Sequence, residues 1–411
     1  MYSTESNSTK LNICLLLSNY TLGNPARPEI TEIYGNYLPL RGHKIIWISS
    51  VDSNLRKINR EKFNDVEIYL IPHPSSHSLM KKMVSFIRYY TSQYLLVSKL
   101  VKNKNYDIIQ VRNDIFSSLI VLFLKKKYNF PFVFQYSFPI ETCKHNKVEK
   151  QYIHYFCKIQ IFLQKYILKK ADLVFPISKC MEMKLIKEGI PKSKMMPLPM
   201  GVNPKWLSFK ENALNIKEKY NLRDYHVLLY IGTMDKLRSL EIIIYTMLKI
   251  LKNEPKTKLL MVGDGNDRNN LEKLATKLEI NKNIVFTGQI PYFDIPSFIS
   301  ISDVCLSPIN PIDIYKVSSP TKLFEYMVMF KPIVANKEIP EQREVLEESN
   351  GGILTSFEME SFANGIMSLL DNKDLSKEMG KNGYNWVIKN RSYENMALDV
   401  EKRYLALLNK S

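Results

Sequence analysis

The sequence has few glycines and cysteines, and it contains no long apolar run. Only 14 of its 411 residues are glycine, which argues against a glycine-rich linker or fibrous protein. The 5 cysteines are scattered and never occur as Cys-x-x-Cys, so neither a disulfide framework nor a zinc site is expected. No stretch approaches the ~18 consecutive apolar residues that cross a bilayer. The 6 histidines show no metal-ligand spacing.

The remaining composition is that of an ordinary globular protein. Hydrophobic residues make up 45% and charged residues 24% of the chain, which is enough for a sizeable core. At roughly 150 residues per domain, the length predicts two or three domains. The polar N-terminus lacks the basic and apolar pattern of a signal peptide, and the unpaired cysteines suit a reducing compartment. We therefore expect a cytoplasmic protein, which could lie peripherally on the inner face of the membrane.

The net charge of +17 is concentrated in one half of the chain. Residues 1–200 carry 30 basic and 14 acidic side chains, whereas residues 201–411 carry 28 and 27. A basic half attracts phosphates, acidic lipids or nucleic acid. No recognised nucleic-acid-binding module accompanies the charge, so nucleic acid is not expected as a partner.

Both halves alternate short β-rich runs with helical patterns, which predicts α/β architecture with parallel sheets. Prolines and a glycine near 197–215 interrupt any regular element and mark a boundary. We predict two Rossmann-like, doubly wound domains that face a cleft, residues 1–200 and 201–391, followed by a helical segment, 392–411. The expected strands are Leu11–Leu17, Lys44–Ser49, Glu67–Ile71, Asp107–Gln110, Phe132–Tyr136, Leu173–Pro176, Val227–Ile231, Lys258–Val262, Ile284–Thr287, Val304–Leu306 and Ile333–Ala335.

Two short motifs in the second half could bind a phosphate. Gly263-Asp264-Gly265 follows an apolar strand, where glycine permits a sharp turn and close approach of a ligand. Ser319-Pro320-Thr321-Lys322-Leu323 opens a predicted helix whose N–H groups and dipole favour an anion, with Glu325 one turn further on. Each motif also has a plainer interpretation: an ordinary turn, and a capped helix with a solvated Lys322–Glu325 pair.

Arg238 lies between the turn at Gly232 and a strongly periodic helix. A basic residue after a strand and a glycine turn is a common way to hold a cation over a phosphate. A surface arginine is the equally simple alternative.

The order of these blocks resembles the retaining glycosyltransferases of the GT-B fold, family 4. The matching blocks in the second half are YIGTMDKLRSL, LLMVGDG, IVFTGQIP, ISDVCLSP, SPTKLFEYMVMFKPIVA and EIPEQREVLEESNGGIL. LRGHKIIWIS, YDIIQVRN, FPFVFQYSFP and LPMGVNPKWL match in the first half, so the resemblance covers roughly residues 11–390.

The resemblance implies a donor domain in the second half, an acceptor domain in the first, and a last helix that crosses back to the first domain. It also implies that Glu325 holds the donor ribose, that Lys322 and Arg238 bind the diphosphate, and that no metal or other cofactor is needed. The further residues implied for the donor site are Gly232, Gly263, Asp264, Gly265, Ile290, Ser319, Pro320, Thr321 and Leu323.

The sequence departs from the family pattern at three positions. Val317 stands where many members have a first glutamate, and Thr233 stands where many have an arginine. Ser137 occupies about the place of a histidine that follows a first-half strand. These changes leave open an inactive relative that only associates with membranes.

Two first-half helices combine basic and apolar residues. The segments 79–102 and 147–170 carry Lys81, Lys82 and Arg88, and Lys147, Lys150 and Lys158, among others, beside aromatic and aliphatic side chains. Basic amphipathic helices bind anionic membranes, although the apolar faces could instead belong to the core.

The sequence as a whole predicts a metal-independent hexosyltransferase of cell-surface glycan synthesis. It would move a sugar from UDP or GDP to a lipid-linked, polyprenyl-phosphate-linked or glycan acceptor. A sugar-nucleotide epimerase of the same architecture is the alternative enzyme.

Overall fold

The computed structural model describes residues 9–18, 27–52, 57–74, 78–103, 106–139, 151–208 and 213–409. Lys147 and Lys150, which were predicted to lie on a basic amphipathic helix, lie outside these ranges. The chain divides into two compact units, Met1–Pro199 with Tyr393–Ser411, and Met200–Ser392.

The first unit is built on a seven-stranded sheet with the order β3-β4-β2-β1-β5-β6-β7. Its strands are β1 (Asn12–Leu17), β2 (Lys44–Val51), β3 (Asn59–Phe63), β4 (Val66–Pro72), β5 (Ile108–Arg112), β6 (Phe132–Tyr136) and β7 (Leu173–Pro176). Its helices are α1 (Leu38–Leu40), preceded by a π-helical turn at Ile30–Tyr37, α2 (Leu79–Lys102), α3 (Ile115–Tyr128), α4 (Gln151–Lys170) and α5 (Lys179–Lys187).

The second unit has a six-stranded, fully parallel sheet with the order β10-β9-β8-β11-β12-β13. Its strands are β8 (His226–Ile231), β9 (Thr257–Val262), β10 (Ile284–Gly288), β11 (Val304–Ser307), β12 (Ile333–Asn336) and β13 (Gly352–Thr355). Its helices are α6 (Ala213–Lys219), α7 (Glu241–Asn253), α8 (Arg268–Lys277), α9 (Ile295–Ser300), α10 (Asp313–Lys316), α11 (Thr321–Val328), α12 (Pro340–Ser349), α13 (Met359–Asp371) and α14 (Lys373–Arg391).

Two strands differ from the sequence prediction. β3 was not predicted, because its polar residues do not form the apolar run by which the other strands were recognised. It lies at the edge of the sheet and runs antiparallel to β4. β13 was also missed, since it is only four residues long and begins with a glycine. The eleven strands expected from the sequence are all present.

The last helix, α15 (Tyr393–Leu408), belongs to the first unit. Its apolar face enters the core of that unit through Tyr393, Met396, Ala397, Val400 and Tyr404. The buried Glu401 accepts hydrogen bonds from Arg41 Nε at 2.6 Å and from His43 Nε2 at 2.9 Å. Since His43 Nδ1 accepts the Leu11 N–H, the proton of the neutral ring is on Nε2.

No helix in these described ranges is both long and apolar enough to traverse a bilayer.

Each sheet contains one point at which the strand order reverses. In the second unit this point lies between β8 and β11, and in the first unit it lies between β1 and β5. Ligands of open α/β sheets bind outside the carboxyl ends of the strands at such a reversal. The residues that follow β8 and β11, and those that follow β1 and β5, therefore occupy the expected ligand-binding positions.

Candidate functional site

Three predicted ionisable residues come together at the strand reversal of the second unit. Gly232 follows β8, Arg238 closes a short 3-10 turn at Lys236–Arg238, and α11 carries Lys322 and Glu325. Tyr326 ties α11 to this strand, because its hydroxyl accepts the N–H of Ile231 at 3.0 Å. The fold therefore places the start of α11 beside the turn that follows β8.

The start of α11 offers backbone N–H groups. Pro320 is the N-cap residue and makes no side-chain capping bond. The first N–H groups of a helix have no partner within the helix, and the positive end of the helix dipole lies there. The helix that follows is buried from Lys322 to Val328, so this terminus is held rigidly by the core.

The Lys322 ammonium is buried without a hydrogen-bond partner in the described part of the chain. Its Nζ lies 4.0 Å from the centre of the Tyr230 ring, and a Cβ added to Gly232 would lie 3.4 Å from it. Burial, and secondly the nearby charge of Arg238, lower the pKa of Lys322 well below its ordinary value. An unpaired cation in such a place is expensive unless an anion joins it.

Glu325 lies one turn after Lys322 and is also buried. Burial raises its pKa to about 7, although the charge of Lys322 acts in the opposite direction. In the described residues no side chain or backbone group donates a hydrogen bond to this carboxyl. The group can therefore accept hydrogen bonds from a ligand once it is ionised.

Arg238 supplies the second cation. Its guanidinium carbon lies 5.5 Å from the centre of the Tyr315 ring, and its buried Nε has no partner among the described residues. Its charge contributes to the lowered pKa of Lys322, because two cations repel each other. Two unsatisfied cationic donors and a helix N-terminus form a site for a doubly charged anion such as a diphosphate.

The glycines of the second unit shape the turns beside this cluster. Gly263 has φ +133°, and a Cβ added there would lie 2.1 Å from the carbonyl oxygen of Gly232. A Cβ on Gly265 would lie 2.4 Å from the carbonyl carbon of Met234. Both positions therefore require glycine because neighbouring backbone segments approach closely. The side chain of Asp264 accepts the Gly265 N–H at 2.8 Å, which stabilises the same turn.

Ser319 was predicted to bind a donor, but its hydroxyl is already engaged within the second unit. It accepts the Met200 N–H at 2.9 Å and donates to Glu341 Oε1 at 2.9 Å. Arg391 donates to the same oxygen at 3.3 Å. The hydroxyl thus fixes the segment that precedes α11, and any contact of Ser319 with a ligand falls to its backbone.

Ile290 lies two residues beyond β10, whose last residue, Gly288, accepts the Gly263 N–H at 3.0 Å. It lines a cavity of about 250 Å³ together with Lys219, Tyr220 and Phe298, among others. None of the other predicted site residues lines this cavity. The structure brings Arg238, Lys322, Glu325 and the Gly232 turn together, and it gives no contact that joins Ile290 to them.

Two of the three departures from the family pattern, Val317 and Thr233, lie in this unit. Val317 is buried and apolar where a carboxylate was expected, and Thr233 is exposed at the turn after Gly232. Lys322 lies beside the turn at Gly232, next to position 233, where many family members have an arginine. Lys322 therefore supplies a cation close to the place of that arginine.

Sequence reasoning missed Tyr230 and Glu341. Tyr230 is fully buried at the end of β8, and its hydroxyl donates to the Thr233 carbonyl at 3.0 Å. In the sequence it is one apolar-run residue among others, so only the distance to Lys322 reveals it. Among the described residues, no group of three or more His, Cys, Asp or Glu side chains is arranged to hold a metal ion.

Comparison with known families covers both halves of the chain. The model of the family described as Glycosyl transferases group 1 matches residues 212–386. The model of Glycosyltransferase Family 4 matches residues 34–206. The described cluster of Arg238, Lys322 and Glu325 falls within the first of these matches.

Curated relatives are distant. An uncharacterised glycosyltransferase of Methanocaldococcus jannaschii is 26% identical over 74% of this chain and 76% of its own length. A GDP-mannose-dependent alpha-(1-6)-phosphatidylinositol monomannoside mannosyltransferase of Mycolicibacterium smegmatis is 22% identical over 54% of this chain and 58% of its own length.

Solved structures share the fold. A glycosyltransferase from Rickettsia africae has a TM-score of 0.71 at 20% identity, with 98% of this chain and 100% of that chain covered. Anabaena HepE in complex with UDP and glucose has a TM-score of 0.70 at 15% identity, with 96% and 99% covered. A glycosyltransferase family model matches each half of the chain, and the solved structures above share its fold over almost its whole length. The chain therefore belongs to the family 4-like glycosyltransferases of the GT-B fold.

Proposed function

We propose that this protein is a retaining, metal-independent hexosyltransferase that uses a UDP- or GDP-linked sugar. The observation that carries the proposal is the pair of unsatisfied cations, Lys322 and Arg238, beside the N-terminus of α11. When the glycosyl bond breaks, negative charge develops on the departing diphosphate. Preorganised cations and backbone N–H groups stabilise such charge most effectively in a site that excludes water.

Glu325 completes the donor site in this proposal. Its carboxylate accepts hydrogen bonds from the two hydroxyl groups of a ribose, while Lys322 and Arg238 hold the diphosphate. The Gly263 turn packs closely against the backbone of Gly232, which lies beside Lys322, and Asp264 maintains the turn at Gly265. Pro320, Thr321 and Leu323 contribute the backbone of the anion-binding helix terminus.

Calorimetric titration with UDP and GDP tests the donor assignment directly. The wild-type protein should bind at least one of the two diphosphates in the presence of a metal chelator. Glu325→Ala should lose most of this affinity, whereas Glu347→Ala, an exposed glutamate on α12, should not. A wild-type protein that binds neither diphosphate would contradict the proposal.

The acceptor is proposed to be a glycan or a polyprenyl-phosphate-linked or other lipid-linked sugar at an anionic membrane surface on the cytoplasmic side. The support is the surface of the first unit, where neighbouring α2, α3 and α4 expose apolar side chains rather than burying them all. These exposed side chains are Leu79, Met80, Met83, Val84, Ile87 and Leu95 on α2, Phe116 and Phe123 on α3, and Tyr155, Ile159 and Phe162 on α4.

Exposed basic residues accompany these apolar groups on the same helices. They include Lys81, Lys82, Arg88, Lys126, Lys127, Lys158, Lys165, Lys169 and Lys170. Each Lys or Arg near an anionic surface contributes about 1 kcal/mol, and the apolar side chains add burial in the interface. The unit therefore suits a bilayer that carries the lipid-linked acceptor of cell-surface glycan synthesis.

Co-sedimentation with vesicles tests the proposed membrane binding separately from donor binding. We expect binding to phosphatidylglycerol vesicles, weakened by salt, and little binding to phosphatidylcholine vesicles. Replacing Met83, Val84 and Ile87 with serine should reduce the binding, whereas Leu214→Ser, an equally exposed apolar residue of α6, should not. Equal sedimentation of both variants would contradict the membrane assignment and leave the donor proposal intact.

A further inference from the structure

A single side chain, that of Asn310 after β11, holds the turn that carries Arg238. Asn310 Nδ2 donates to the Leu237 carbonyl at 3.0 Å and to Ser239 Oγ at 3.0 Å. Because a carbonyl oxygen only accepts hydrogen bonds, the amide atom that faces Leu237 is the nitrogen, and its two hydrogens can serve both partners. Asn310 thus holds the chain on either side of Arg238.

The turn that carries Arg238 is short and strained at its end. It is a single 3-10 turn of three residues, Lys236–Arg238. It is followed by Ser239, a residue other than glycine with φ +51°. Residues with a Cβ adopt this left-handed conformation only at an energetic cost, so other contacts must stabilise it. The hydrogen bond from Asn310 to Ser239 Oγ acts on this strained residue.

The segment that begins at Asn310 also places an aromatic ring against the Arg238 guanidinium. Tyr315 lies in α10, and its ring centre is 5.5 Å from the guanidinium carbon. The backbone between Asn310 and Tyr315 is folded on itself. The Ile312 N–H donates to the Asn310 carbonyl at 2.8 Å, and the Tyr315 N–H donates to the Ile312 carbonyl at 2.9 Å. The position of the ring is therefore linked to that of Asn310.

The same segment continues into the N-terminus of α11. Ser318 donates to the Tyr315 carbonyl twice, from its hydroxyl at 2.6 Å and from its N–H at 3.1 Å. Pro320 follows as the N-cap residue of α11, the helix that carries Lys322. The stretch 310–320 therefore joins the support of Arg238 to the start of this helix.

Arg238 needs this support because Lys322 repels it. The two side chains are both cationic, and the buried Nε of Arg238 has no partner among the described residues. A flexible arginine would reduce the repulsion by turning away into water. A guanidinium held over an aromatic ring keeps its N–H groups free, and it loses less conformational entropy when a ligand binds.

We propose that Asn310 and Tyr315 are positioning residues that hold Arg238 ready for the diphosphate of the donor. Asn310 fixes the backbone on both sides of Arg238, and the Tyr315 ring supports the guanidinium. Neither residue needs to touch the ligand. The inference rests on the proposed function in taking a diphosphate as the ligand, but the placement of Arg238 can be measured without one.

NMR relaxation of the Arg238 side chain in the full-length, nucleotide-free protein measures this placement. The Nε–H signal of Arg238 is identified as the one that Arg238→Lys removes. Its heteronuclear NOE should be close to that of the backbone in the wild-type protein. Asn310→Ala and Tyr315→Leu should lower it, because the guanidinium is released, whereas Tyr315→Phe keeps the ring and should not.

Calorimetry with UDP and GDP then measures whether Asn310 acts through Arg238. Asn310→Ala should weaken diphosphate binding by roughly tenfold, the cost of one poorly placed charge-assisted hydrogen bond. In an Arg238→Met background, the same substitution should change the affinity by less than about twofold. A residue that merely stabilises the fold would show the same loss in both backgrounds.

Asn283→Ala is the matched control. Asn283 Nδ2 donates to the Thr257 carbonyl at 3.0 Å, so the substitution also removes an amide-to-carbonyl hydrogen bond of the second unit. Thr257 begins β9, at the opposite end of the sheet from the turns that follow the strands. This variant should leave both the Arg238 NOE and diphosphate affinity unchanged.

Two results would overturn the inference. One is an Arg238 Nε–H signal that is as mobile in the wild-type protein as in Asn310→Ala. The other is an equal loss of affinity on Asn310→Ala with and without Arg238. If the wild-type protein binds neither UDP nor GDP, the donor proposal fails, and the NMR measurement still decides whether Asn310 and Tyr315 hold Arg238.

Discussion

The Nζ of Lys322 lies 4.0 Å from the centre of the Tyr230 ring, so the buried ammonium rests on an aromatic face instead of an oxygen. The Tyr230 hydroxyl donates to the carbonyl of Thr233, which holds the ring in place beside the Gly232 turn. A cation on an aromatic face is attracted to it but keeps its N–H groups available. The arrangement holds Lys322 in position without occupying the donors that a diphosphate needs.

Tyr230 should accordingly act as a positioning residue for Lys322. Tyr230→Phe keeps the ring and should change UDP or GDP affinity little, while costing about 1 kcal/mol of stability for the lost hydrogen bond. Tyr230→Leu removes the aromatic face and should weaken diphosphate binding by roughly tenfold. Calorimetry together with thermal unfolding checks both. Equal affinities for the two variants would show that the ring does not position Lys322.

Lys322→Met should separate binding from stability. Removing an unpaired buried cation relieves its desolvation and its repulsion by Arg238, so the free energy of unfolding should stay the same or rise. Diphosphate affinity should fall by roughly 10- to 100-fold, as expected for a charge-assisted hydrogen bond.

Lys331→Met is the matched control for this variant. Lys331 Nζ donates to the carbonyls of Ser300 and Ser302 at 2.7 and 2.6 Å. Its replacement should lower stability and leave diphosphate affinity nearly unchanged. The donor assignment of Lys322 would be wrong if the two variants behaved alike in the binding assay.

Diphosphate binding should strengthen as the pH rises through about 7, the pKa of Glu325 in the folded protein. The ionised carboxylate accepts ribose hydrogen bonds, whereas the protonated form accepts them weakly. Glu325→Gln should bind more weakly and lose this dependence. Calorimetric affinities between pH 6 and 8 (a window of about one unit on either side) provide the measurement.

The ionisation of Glu325 should also make the stability of the folded protein fall as the pH rises. Its pKa is raised from 4.5 to about 7 on folding, so the folded state retains a proton that the unfolded state loses in that interval. The stabilising contribution is complete below 4.5 and is lost as the pH rises to about 7. Glu325→Gln should therefore be more stable than the wild type at pH above this window. A stability difference that does not depend on pH would contradict the burial argument.

Ser319→Ala should lower stability more than diphosphate affinity, which is the opposite of what we expect for Lys322→Met. It leaves the Met200 N–H and the Glu341 carboxylate with one partner fewer, so stability should fall by about 1–3 kcal/mol. Diphosphate affinity should fall less than in Lys322→Met. Urea unfolding and calorimetry on the same samples compare the two variants, and a loss confined to affinity would make Ser319 a ligand contact instead.

Glu401 should hold α15 in the first unit. Burial tends to raise the pKa of this carboxyl, but hydrogen bonds from Arg41 and His43, together with the charge of Arg41, outweigh it, and the net shift is downward. A lowered pKa means that the stabilisation is present above the unfolded-state value and is lost as the pH falls through the folded-state value. Glu401→Gln should reduce stability at neutral pH and flatten its acid dependence. Asp399→Asn, at an exposed position of the same helix, should change neither.

Much of the fold follows from local sequence patterns. Continuous apolar runs identify the strands that are covered on both faces, as with Val304–Leu306, because burial on both sides leaves no place for polar residues. Periodicity identifies α7, where Ile243, Ile244 and Met247 share one buried face. The polar edge strand β3 escapes such reasoning because its partner and direction depend on β4.

The candidate site can be predicted from local sequence patterns only in part. The motif around Lys322 and Glu325 is visible as a helix start, but the motif does not reveal that the hydroxyl of Ser319 is engaged by Glu341 and Met200. Tyr230 and Asn310 carry no signal of their roles in a local pattern. Their importance comes from neighbours at sequence separations of about ninety residues for Lys322 and Tyr230, and 73 and 71 residues for Asn310 and its two partners.

From its amino-acid order alone, this chain determines where strands and helices form, because those depend on local propensity and on the periodicity of apolar residues. Only the tertiary structure decided which polar groups meet at the strand reversal of the second unit and which of them remain without partners. Those outcomes depend on sheet order and on distances between remote segments, and hydrogen bonding and desolvation change sharply over a few ångströms.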